Sequence, residues 1–288
     1  MKRTGYLLVL PVLAALGVVE AYPIGYSIYL SVTNYSDSSF VGLSNYWQML
    51  TSGYFFPALG TSILYATGSV VLSVVLGVLL AFQLFQLQRL RGFFQSLFLV
   101  PLAMAPIVVG VIWAPAGIWD DFNTFWHFVL GQPYFNPASY GFFFPVMVLS
   151  DAYEWSPLIM LVALGIMVGI KQEVYEAARV HGASTWQIFR RVILPSVARS
   201  PAMQFVLLIR FIDAMRAFEI PFAWSTWVSY PAAGSPVDTV SLLLFKLITG
   251  PVYGFPIGLI SATAVTLLVV TLALTGVLFR LMNRSAKF

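Results

Sequence analysis

Four ionisable residues, Arg210, Asp213, Arg216 and Glu219, recur at three-residue spacing within one largely apolar stretch. Residues three apart are neighbours on a helix surface, and these four alternate in sign. Guanidinium donors and carboxylate acceptors on one wall can bind a hydroxyl-rich solute. A self-neutralising ion ladder that only packs two helices together explains the same pattern, so both interpretations stay open.

A second polar group lies in an earlier apolar stretch and consists of Asp151, Glu154 and Trp155. Ionisable residues inside a membrane are costly and usually face a bundle interior or a transport path. Trp155 offers an apolar face for a sugar ring, and it equally suits the membrane interface, where tryptophan is enriched. The two polar groups gain functional meaning only if both stretches cross a membrane.

The composition indicates that they do. The chain of 288 residues is 59% hydrophobic and only 9% charged, whereas soluble domains average about 25% charged residues. A helix needs about twenty apolar residues to cross the bilayer. Six stretches meet this length, and we predict a single all-α membrane domain over residues 1–288. The predicted spans are 5–31, 57–85, 93–113, 142–170, 201–224 and 253–281.

Two features modify individual spans. The first span follows Lys2 and Arg3 and competes with a cleaved signal peptide, although its apolar run is long for one. The third contains Pro101 and Pro106, which interrupt the helical hydrogen-bond ladder. Broken spans occur where protein or a water-filled cavity satisfies the freed backbone groups, so this break indicates either a transport path or a packing kink.

The basic residues predict the orientation. With six spans, only Lys246 falls outside, and Arg210 and Arg216 fall within the membrane. The other twelve of the fifteen basic residues lie on one side, which the positive-inside rule makes the cytoplasm, so both termini are predicted to be cytoplasmic. The net charge of +4 therefore indicates orientation before it suggests nucleic acid. These twelve are Lys2, Arg3, Arg89, Arg91, Lys171, Arg179, Arg190, Arg191, Arg199, Arg280, Arg284 and Lys287.

The sequence lacks the residues and motifs that several kinds of metal-binding and catalytic sites require. The chain has no cysteine, so it holds no disulfide, thiolate metal site or thiol nucleophile. His127 and His181 are predicted on opposite sides of the membrane and cannot share a metal. There is no GxxxxGK[ST] phosphate loop and no HExxH or GxSxG motif. An intramembrane enzyme using Asp151 or Glu154 stays open, but no nucleophile–base pair supports it.

The segment 171–200, on the predicted cytoplasmic side, is too polar to span and is patterned like two short helices. Gly182 lies where the first would end, because glycine enters the left-handed conformation without steric cost. Ser184 and Gln187 form a capping-box pattern that starts the second. Leu194–Pro195 is expected to end it, because proline disfavours helix in the residue before it. A solvated loop facing anionic lipid is the alternative.

This segment resembles the EAA loop of permease subunits in binding-protein-dependent ABC importers. The likeness rests on the Glu-Ala-Ala run, the Gly-Ala pair after it and the final Leu-Pro. Other runs, AYPIGYSIYLSVTNY, VPLAMAPIVVGVIW, WSPLIMLVALGI and RFIDAMRAFEIPF, resemble the carbohydrate-type, maltose-permease-like class. The resemblance covers nearly the whole chain and implies the type I ABC importer permease fold.

The resemblance also implies roles for particular residues. The segment 171–200 would couple the permease to an ATPase subunit, and a sugar, oligosaccharide or polyol would be held at mid-membrane. The implied coupling residues are Glu176, Ala177, Ala178, Gly182, Ala183, Leu194 and Pro195. The implied substrate-binding residues are Leu102, Asp151, Trp155, Leu158, Asp213 and Arg216.

The resemblance further implies partners: a second permease, two ATP-binding subunits and an external solute-binding protein at the cytoplasmic (inner) membrane. ATP and Mg²⁺ would be used by the ATPases, and this chain would bind no cofactor. Two departures stand out. His181 replaces the usual aspartate before the motif glycine, and the loop after the fifth span is longer.

Three other functions stay open. An importer of the same class for a glycerophosphoryl compound would use Arg210 and Arg216 for phosphate, although Asp213 between them opposes an anion. An ion-coupled secondary transporter would use the charged ladder as a proton relay and would show inverted repeats, of which none is evident. An intramembrane enzyme is the third.

Overall fold

The structure is a computed structural model that describes residues 2–87, 89–134, 142–227, 237–249 and 256–285. These residues form fourteen α-helices and no strand, which confirms the all-α prediction. The helices are α1 (Lys2–Ser31), α2 (Ser44–Thr51), α3 (Phe55–Gln86), α4 (Arg91–Phe98), α5 (Pro106–Trp113), α6 (Ile118–Leu130), α7 (Phe143–Gly169), α8 (Gln172–Val180), α9 (Thr185–Ile188), α10 (Leu194–Arg199), α11 (Pro201–Met215), α12 (Glu219–Ser225), α13 (Val240–Thr249) and α14 (Ile257–Ser285).

Four of these helices, α1, α3, α7 and α14, are each long and apolar enough to cross a membrane unbroken. They correspond to the first, second, fourth and sixth predicted spans. The predicted third span is instead a bent helix pair, with 96° between Arg91–Ala103 and Pro106–Leu130. The predicted fifth span is the second member of another bent pair, with 65° between Thr185–Arg199 and Pro201–Ser225. The described chain therefore holds four spans, or six if each bent pair counts as one.

Proline explains the break in the third span. A 3₁₀ turn over Pro101–Ala103 follows α4, and α5 begins anew at Pro106. Ala105 before it is extended, with φ −68° and ψ 138°, as expected for a residue that precedes proline. The prediction that these two prolines interrupt the helix is confirmed.

Helices α3 and α7 form the centre of the fold because small residues let them approach closely. A Cβ added at Gly77 of α3 would lie 2.6 Å from Ile159 Cβ and 2.7 Å from the Ser156 carbonyl oxygen, both on α7. A Cβ added at Gly68 would lie 3.3 Å from Val148 Cγ1, also on α7. A Cβ added at Gly60 of the same helix would instead meet nothing within 4 Å, so Gly60 makes no close approach within the described residues. Small residues at contact positions are typical of membrane helix pairs.

The segment 171–200 is attached to the end of this central pair. Tyr175 of α8 is buried and donates a hydrogen bond to the Met167 carbonyl oxygen of α7 at 2.9 Å. Its ring lies 5.4 Å from that of Phe85 of α3, and Phe189 lies 4.5 Å from Phe82. Burial raises the pKa of Tyr175, so its hydroxyl stays protonated and remains a donor.

The two-helix prediction for this segment is confirmed around Gly182 and corrected at Pro195. The capping box of Ser184 and Gln187 is complete. The second helix, however, continues through a π-helical turn at Phe189–Ile193 into α10 and ends only at Arg199. Pro195 is the second residue of α10, directly after the π-helical turn, and the chain becomes extended at Ser200 before Pro201.

The close approach at Gly77 can be tested by replacement with alanine. Gly77→Ala should lower the thermal unfolding midpoint of the purified protein, because overpacking a tight contact costs about 1–3 kcal/mol. Gly60→Ala is the matched control: on the same helix but in open space, it should leave the midpoint unchanged or raise it, since alanine is the better helix former. Equal midpoints for the two variants would contradict the packing argument.

Candidate functional site

The polar residues of α7 and α11 meet around one buried guanidinium. The Arg210 side chain is fully buried. Its Nη2 donates to Asp151 Oδ2 of α7 and to Ser69 Oγ of α3, and its Nη1 donates to Asp213 Oδ2 at 3.2 Å. Ser69 Oγ also donates to Asp151 Oδ2. One cation thus holds two carboxylates and connects three helices.

Trp155 completes this cluster from one turn further along α7. The Arg210 Cζ atom lies 4.8 Å from the centroid of the Trp155 ring. A guanidinium over an indole face at this distance is a cation–π contact, which is strongest where water is excluded. Trp155 therefore both shields the ion pair and presents an aromatic surface.

Beside this cluster lies a cavity of about 330 Å³. Its size falls within the range of small-molecule sites. Four predicted substrate-binding residues, Asp151, Trp155, Asp213 and Arg216, line it together. The remaining lining residues are Tyr65, Pro106, Glu154, Ala217, Phe218, Glu219 and Ile220.

Two predicted substrate-binding residues, Leu102 and Leu158, do not line this cavity. Leu102 lies in the 3₁₀ turn of the broken third span, and Leu158 lies on α7. Both are half-buried. Their role in substrate binding stays a prediction.

The expected four-member ion ladder is wrong beyond Asp213. Helix α11 ends at Met215, and Arg216 to Phe218 lie outside regular helix before α12 begins at Glu219. Arg216 and Glu219 are exposed and form no ion pair within the described residues. Pro221 in the first turn of α12 explains the break, because proline is tolerated there but not in the interior of a continuous helix.

Side chains next to α13 satisfy the backbone at this break. Thr239 Oγ1 donates to the Ala217 carbonyl oxygen at 2.7 Å, and Ser241 Oγ donates to that of Arg216 at 3.1 Å. The break is thus a supported feature of the fold, and it turns Ala217, Phe218 and Glu219 toward the cavity.

Sequence reasoning missed two residues on α3. Tyr65 lines the cavity and Ser69 joins the ion pair. Together with Ser62 and Ser73, they recur at intervals of three and four residues along a helix that is otherwise strongly apolar. This stripe, at helical spacing, was the available signal.

A second candidate site is the exposed surface of α8. Glu176 and Ala177 are exposed, and Ala178 is half-buried. Helix α8 ends in a Schellman motif: Gly182, at φ +75°, donates to the Arg179 carbonyl oxygen at 2.9 Å, and Ala183 donates to that of Ala178 at 3.0 Å.

The rest of the predicted coupling set lies close by. His181 is the exposed C-cap residue of α8. Leu194 is exposed and Pro195 is half-buried at the start of α10. The α8 surface also leaves the apolar side chain of Val180 85% exposed.

Comparison with known proteins identifies the class. Residues 73–287 match the family described as binding-protein-dependent transport system inner membrane component. The chain therefore belongs to this family of membrane-integral transport permeases, and the resemblance of its EAA segment is confirmed.

Individual relatives agree with this assignment. The chain is 28% identical over 279 residues to the trehalose transport system permease of Mycobacterium tuberculosis, covering 92% of this chain and 83% of the relative. It is 25% identical over 290 residues to the sn-glycerol-3-phosphate transport system permease of Yersinia pestis, covering 98% and 95%. These relatives are permeases, so the prediction that the chain is a transport subunit and not an enzyme is confirmed.

A solved structure confirms the fold. The bacterial alginate ABC transporter, in complex with an alginate pentasaccharide-bound periplasmic protein, superposes with a TM-score of 0.81 at 18% identity. The match covers 99% of this chain and 96% of the other. The type I ABC importer permease fold predicted from the sequence is the observed one.

The buried ion pair can be tested by removing its cation. Arg210→Met should destabilise the protein by about 3–5 kcal/mol, because it leaves Asp151 buried without a counter-charge. Arg216→Met, which removes an exposed and unpaired guanidinium, is the matched control and should change the thermal unfolding midpoint little. The double variant Arg210→Met/Asp151→Leu should recover part of the loss. Equal midpoint changes for the two single variants would refute the anchoring role.

Proposed function

We propose that this chain is the permease subunit of an ATP-driven importer that moves a sugar, oligosaccharide or polyol across the cytoplasmic membrane. The observation that carries the proposal is the cavity at the break between α11 and α12. Acidic side chains, the guanidinium of Arg216 and the side chain of Trp155 line it together. Carboxylates and guanidinium groups hydrogen-bond hydroxyls, and an aromatic face packs on a sugar ring. The trehalose permease among the relatives supports the same solute class.

The proposed orientation places both termini and α8–α10 in the cytoplasm. The basic residues of the segment 171–200 support it through the positive-inside rule. In this orientation the long loop before α3 and the helix α6 lie outside. The cavity, halfway along α7, then lies near the middle of the membrane.

The proposed coupling contact is made by α8. Its exposed Glu176 would pair with basic groups of an ATP-binding subunit, and the small Ala177 would allow close approach. The Gly182 turn fixes the angle between α8 and α9. Closure of two ATPases on ATP would then move the attached ends of α3 and α7 and switch access to the cavity.

The proposed assembly contains a second permease, two ATP-binding subunits and an external solute-binding protein. ATP and Mg²⁺ belong to the ATPases in this scheme, and the permease binds no cofactor of its own. Support comes from the family description, which names a binding protein, and from the alginate transporter solved with its periplasmic protein.

A glycerophosphoryl solute is the second candidate, because the Yersinia pestis relative is a glycerol-3-phosphate permease. The site opposes it. Arg210 is already engaged by Asp151 and Asp213, which leaves Arg216 as the free cation among the described lining residues. A phosphate there would face several carboxylates at short range.

The overall function is tested in proteoliposomes that contain the complete importer. Uptake of labelled sugar should require the ATPase subunits and ATP, and it should not respond to an imposed proton or sodium gradient. Uptake driven by an ion gradient without ATP would replace the proposal with a secondary transporter.

The coupling role of α8 is tested by charge reversal. Glu176→Lys should abolish uptake while the permease stays in the membrane, because it places like charges at the proposed contact. Glu176→Gln, which keeps the size and a hydrogen-bonding group, should retain part of the activity. Normal uptake by Glu176→Lys would refute the coupling contact.

The role of Asp213 is tested by truncation. Asp213→Ala should reduce solute-stimulated ATP hydrolysis by about tenfold, the loss expected for one hydrogen bond to a charged group. Assembly, followed by co-purification of the partner subunits, should persist because Asp151 still pairs with Arg210. An unchanged solute dependence would restrict Asp213 to the structural ion pair.

A further inference from the structure

Two residues that line the cavity each carry a buried polar atom without a protein partner among the described residues. The Tyr65 hydroxyl and Glu154 Oε2 make no hydrogen bond within the described structure. Tyr65 is 0% exposed and Glu154 is 4% exposed, yet both line the cavity. Buried polar groups are nearly always hydrogen-bonded, because leaving one unpaired is costly. A pair of such groups on a cavity wall therefore marks a place where a bound molecule supplies the partners.

The charges around this pair are unbalanced toward the negative. Four carboxylates line the cavity, on Asp151, Glu154, Asp213 and Glu219, against the single guanidinium of Arg216. The Arg210 guanidinium is not among the lining groups and is paired with Asp151 and Asp213. Even with both guanidinium groups counted, acidic side chains outnumber basic ones by four to two.

We propose that Tyr65 and Glu154 form a subsite for a hydrogen-bond donor of the solute, in a cavity whose charge rejects anions. The donor is a hydroxyl of a neutral sugar or the ammonium of an amino sugar. This assignment rests on the proposed function only in placing the transported solute in this cavity. It narrows the solute to neutral or cationic carbohydrates and assigns a role to two residues outside the sequence-predicted set.

The two side chains complement each other chemically. Glu154 Oε2 accepts a hydrogen bond, and the Tyr65 hydroxyl both donates and accepts, so together they bind the donor and acceptor of one sugar hydroxyl. They come from α3 and α7, the pair held rigidly by the contact at Gly77. Trp155, next to Glu154, adds an apolar face beside them.

The absence of cysteine makes the cavity charge directly measurable. Ala217 lines the cavity, so Ala217→Cys places a unique thiol in this chain at the site. The full importer, purified in lipid nanodiscs, is treated with trimethylammonium-ethyl, glucosyl-ethyl and sulfonatoethyl methanethiosulfonates. The rate of modification is followed by the mass of this chain. Leu43→Cys, which replaces an exposed loop residue, gives the intrinsic reactivity of each reagent.

The expected result is a charge preference specific to the cavity. Relative to Leu43→Cys, the Ala217→Cys thiol should react faster with the cationic reagent than with the anionic one. Adding Glu154→Gln should reduce that ratio several-fold, since it removes an acidic group of the cavity lining that favours the cation and opposes the anion. Tyr65→Phe, which removes a neutral group, should leave the ratio unchanged. The proposal is overturned if the ratio of cationic to anionic modification rates is the same at Ala217→Cys and Leu43→Cys. It is also overturned if Glu154→Gln leaves that ratio at Ala217→Cys unchanged.

The glucosyl reagent distinguishes the two kinds of donor. If the subsite binds a sugar hydroxyl, the glucosyl reagent should modify the Ala217→Cys thiol several-fold more slowly when either Tyr65→Phe or Glu154→Gln is added. If an ammonium is bound, the glucosyl rate stays constant while the cationic rate falls in Glu154→Gln. Constant rates for both reagents in both variants overturn the subsite. The modification rates report the chemistry of the cavity whether or not sugar is transported. A negative result here would therefore refute the subsite alone, whereas the uptake assay tests the importer function.

Discussion

The buried guanidinium of Arg210 is the interaction on which the centre of this molecule depends. A cation in a water-excluded membrane interior is tolerable only with close counter-charges and satisfied hydrogen bonds. Asp151 and Asp213 supply the charge, and Ser69 adds a further acceptor. Because these partners lie on α7, α11 and α3, the hydrogen bonds of Nη1 and Nη2 fix three helices relative to each other, while Nε has no partner among the described residues. The cavity exists where this fixed cluster meets the break after α11.

Breaks in the spans are as important as the spans themselves. Continuous helices present side chains only along their own faces, whereas the interruption at Arg216–Phe218 lets successive residues turn into the cavity. Such irregular backbone is stable at membrane depth only if protein satisfies it, and Thr239 and Ser241 do so here. The site is therefore built by the same local chemistry that ends the helix.

The sequence was informative wherever the deciding physics is local. Apolar length predicted the four unbroken spans, and the glycine and capping-box patterns predicted the turn at Gly182. Pro101 and Pro106 predicted the break in the third span. Pro221 carried an equally local signal for the second break, but the three-residue charge spacing favoured one continuous helix and proved misleading.

Non-local contacts set the limit of prediction. Periodicity assigns Tyr65 and Ser69 to a polar stripe on α3, but it cannot identify Asp151 or Arg210 as what that stripe meets. For the same reason, the spacing placed Arg210 in a ladder along its own helix, whereas it is buried and shared between three helices. The four residues brought together at the cavity were predicted by combining charge spacing with family resemblance, which reports tertiary neighbours indirectly.

The attachment of Tyr175 has a mechanical consequence. Helix α3 has 32 residues and is about 48 Å long. Its C-terminal end contacts Tyr175 of α8 and Phe189 of the π-helical turn through aromatic rings, and Gly77 brings α3 into close contact with α7. Helices α3 and α7 are therefore expected to move as one rigid unit, with α8 attached at one end. In the proposed coupling, a displacement of α8 would therefore tilt α3 and α7 together, and Tyr65, Ser69 and Asp151 would move with them.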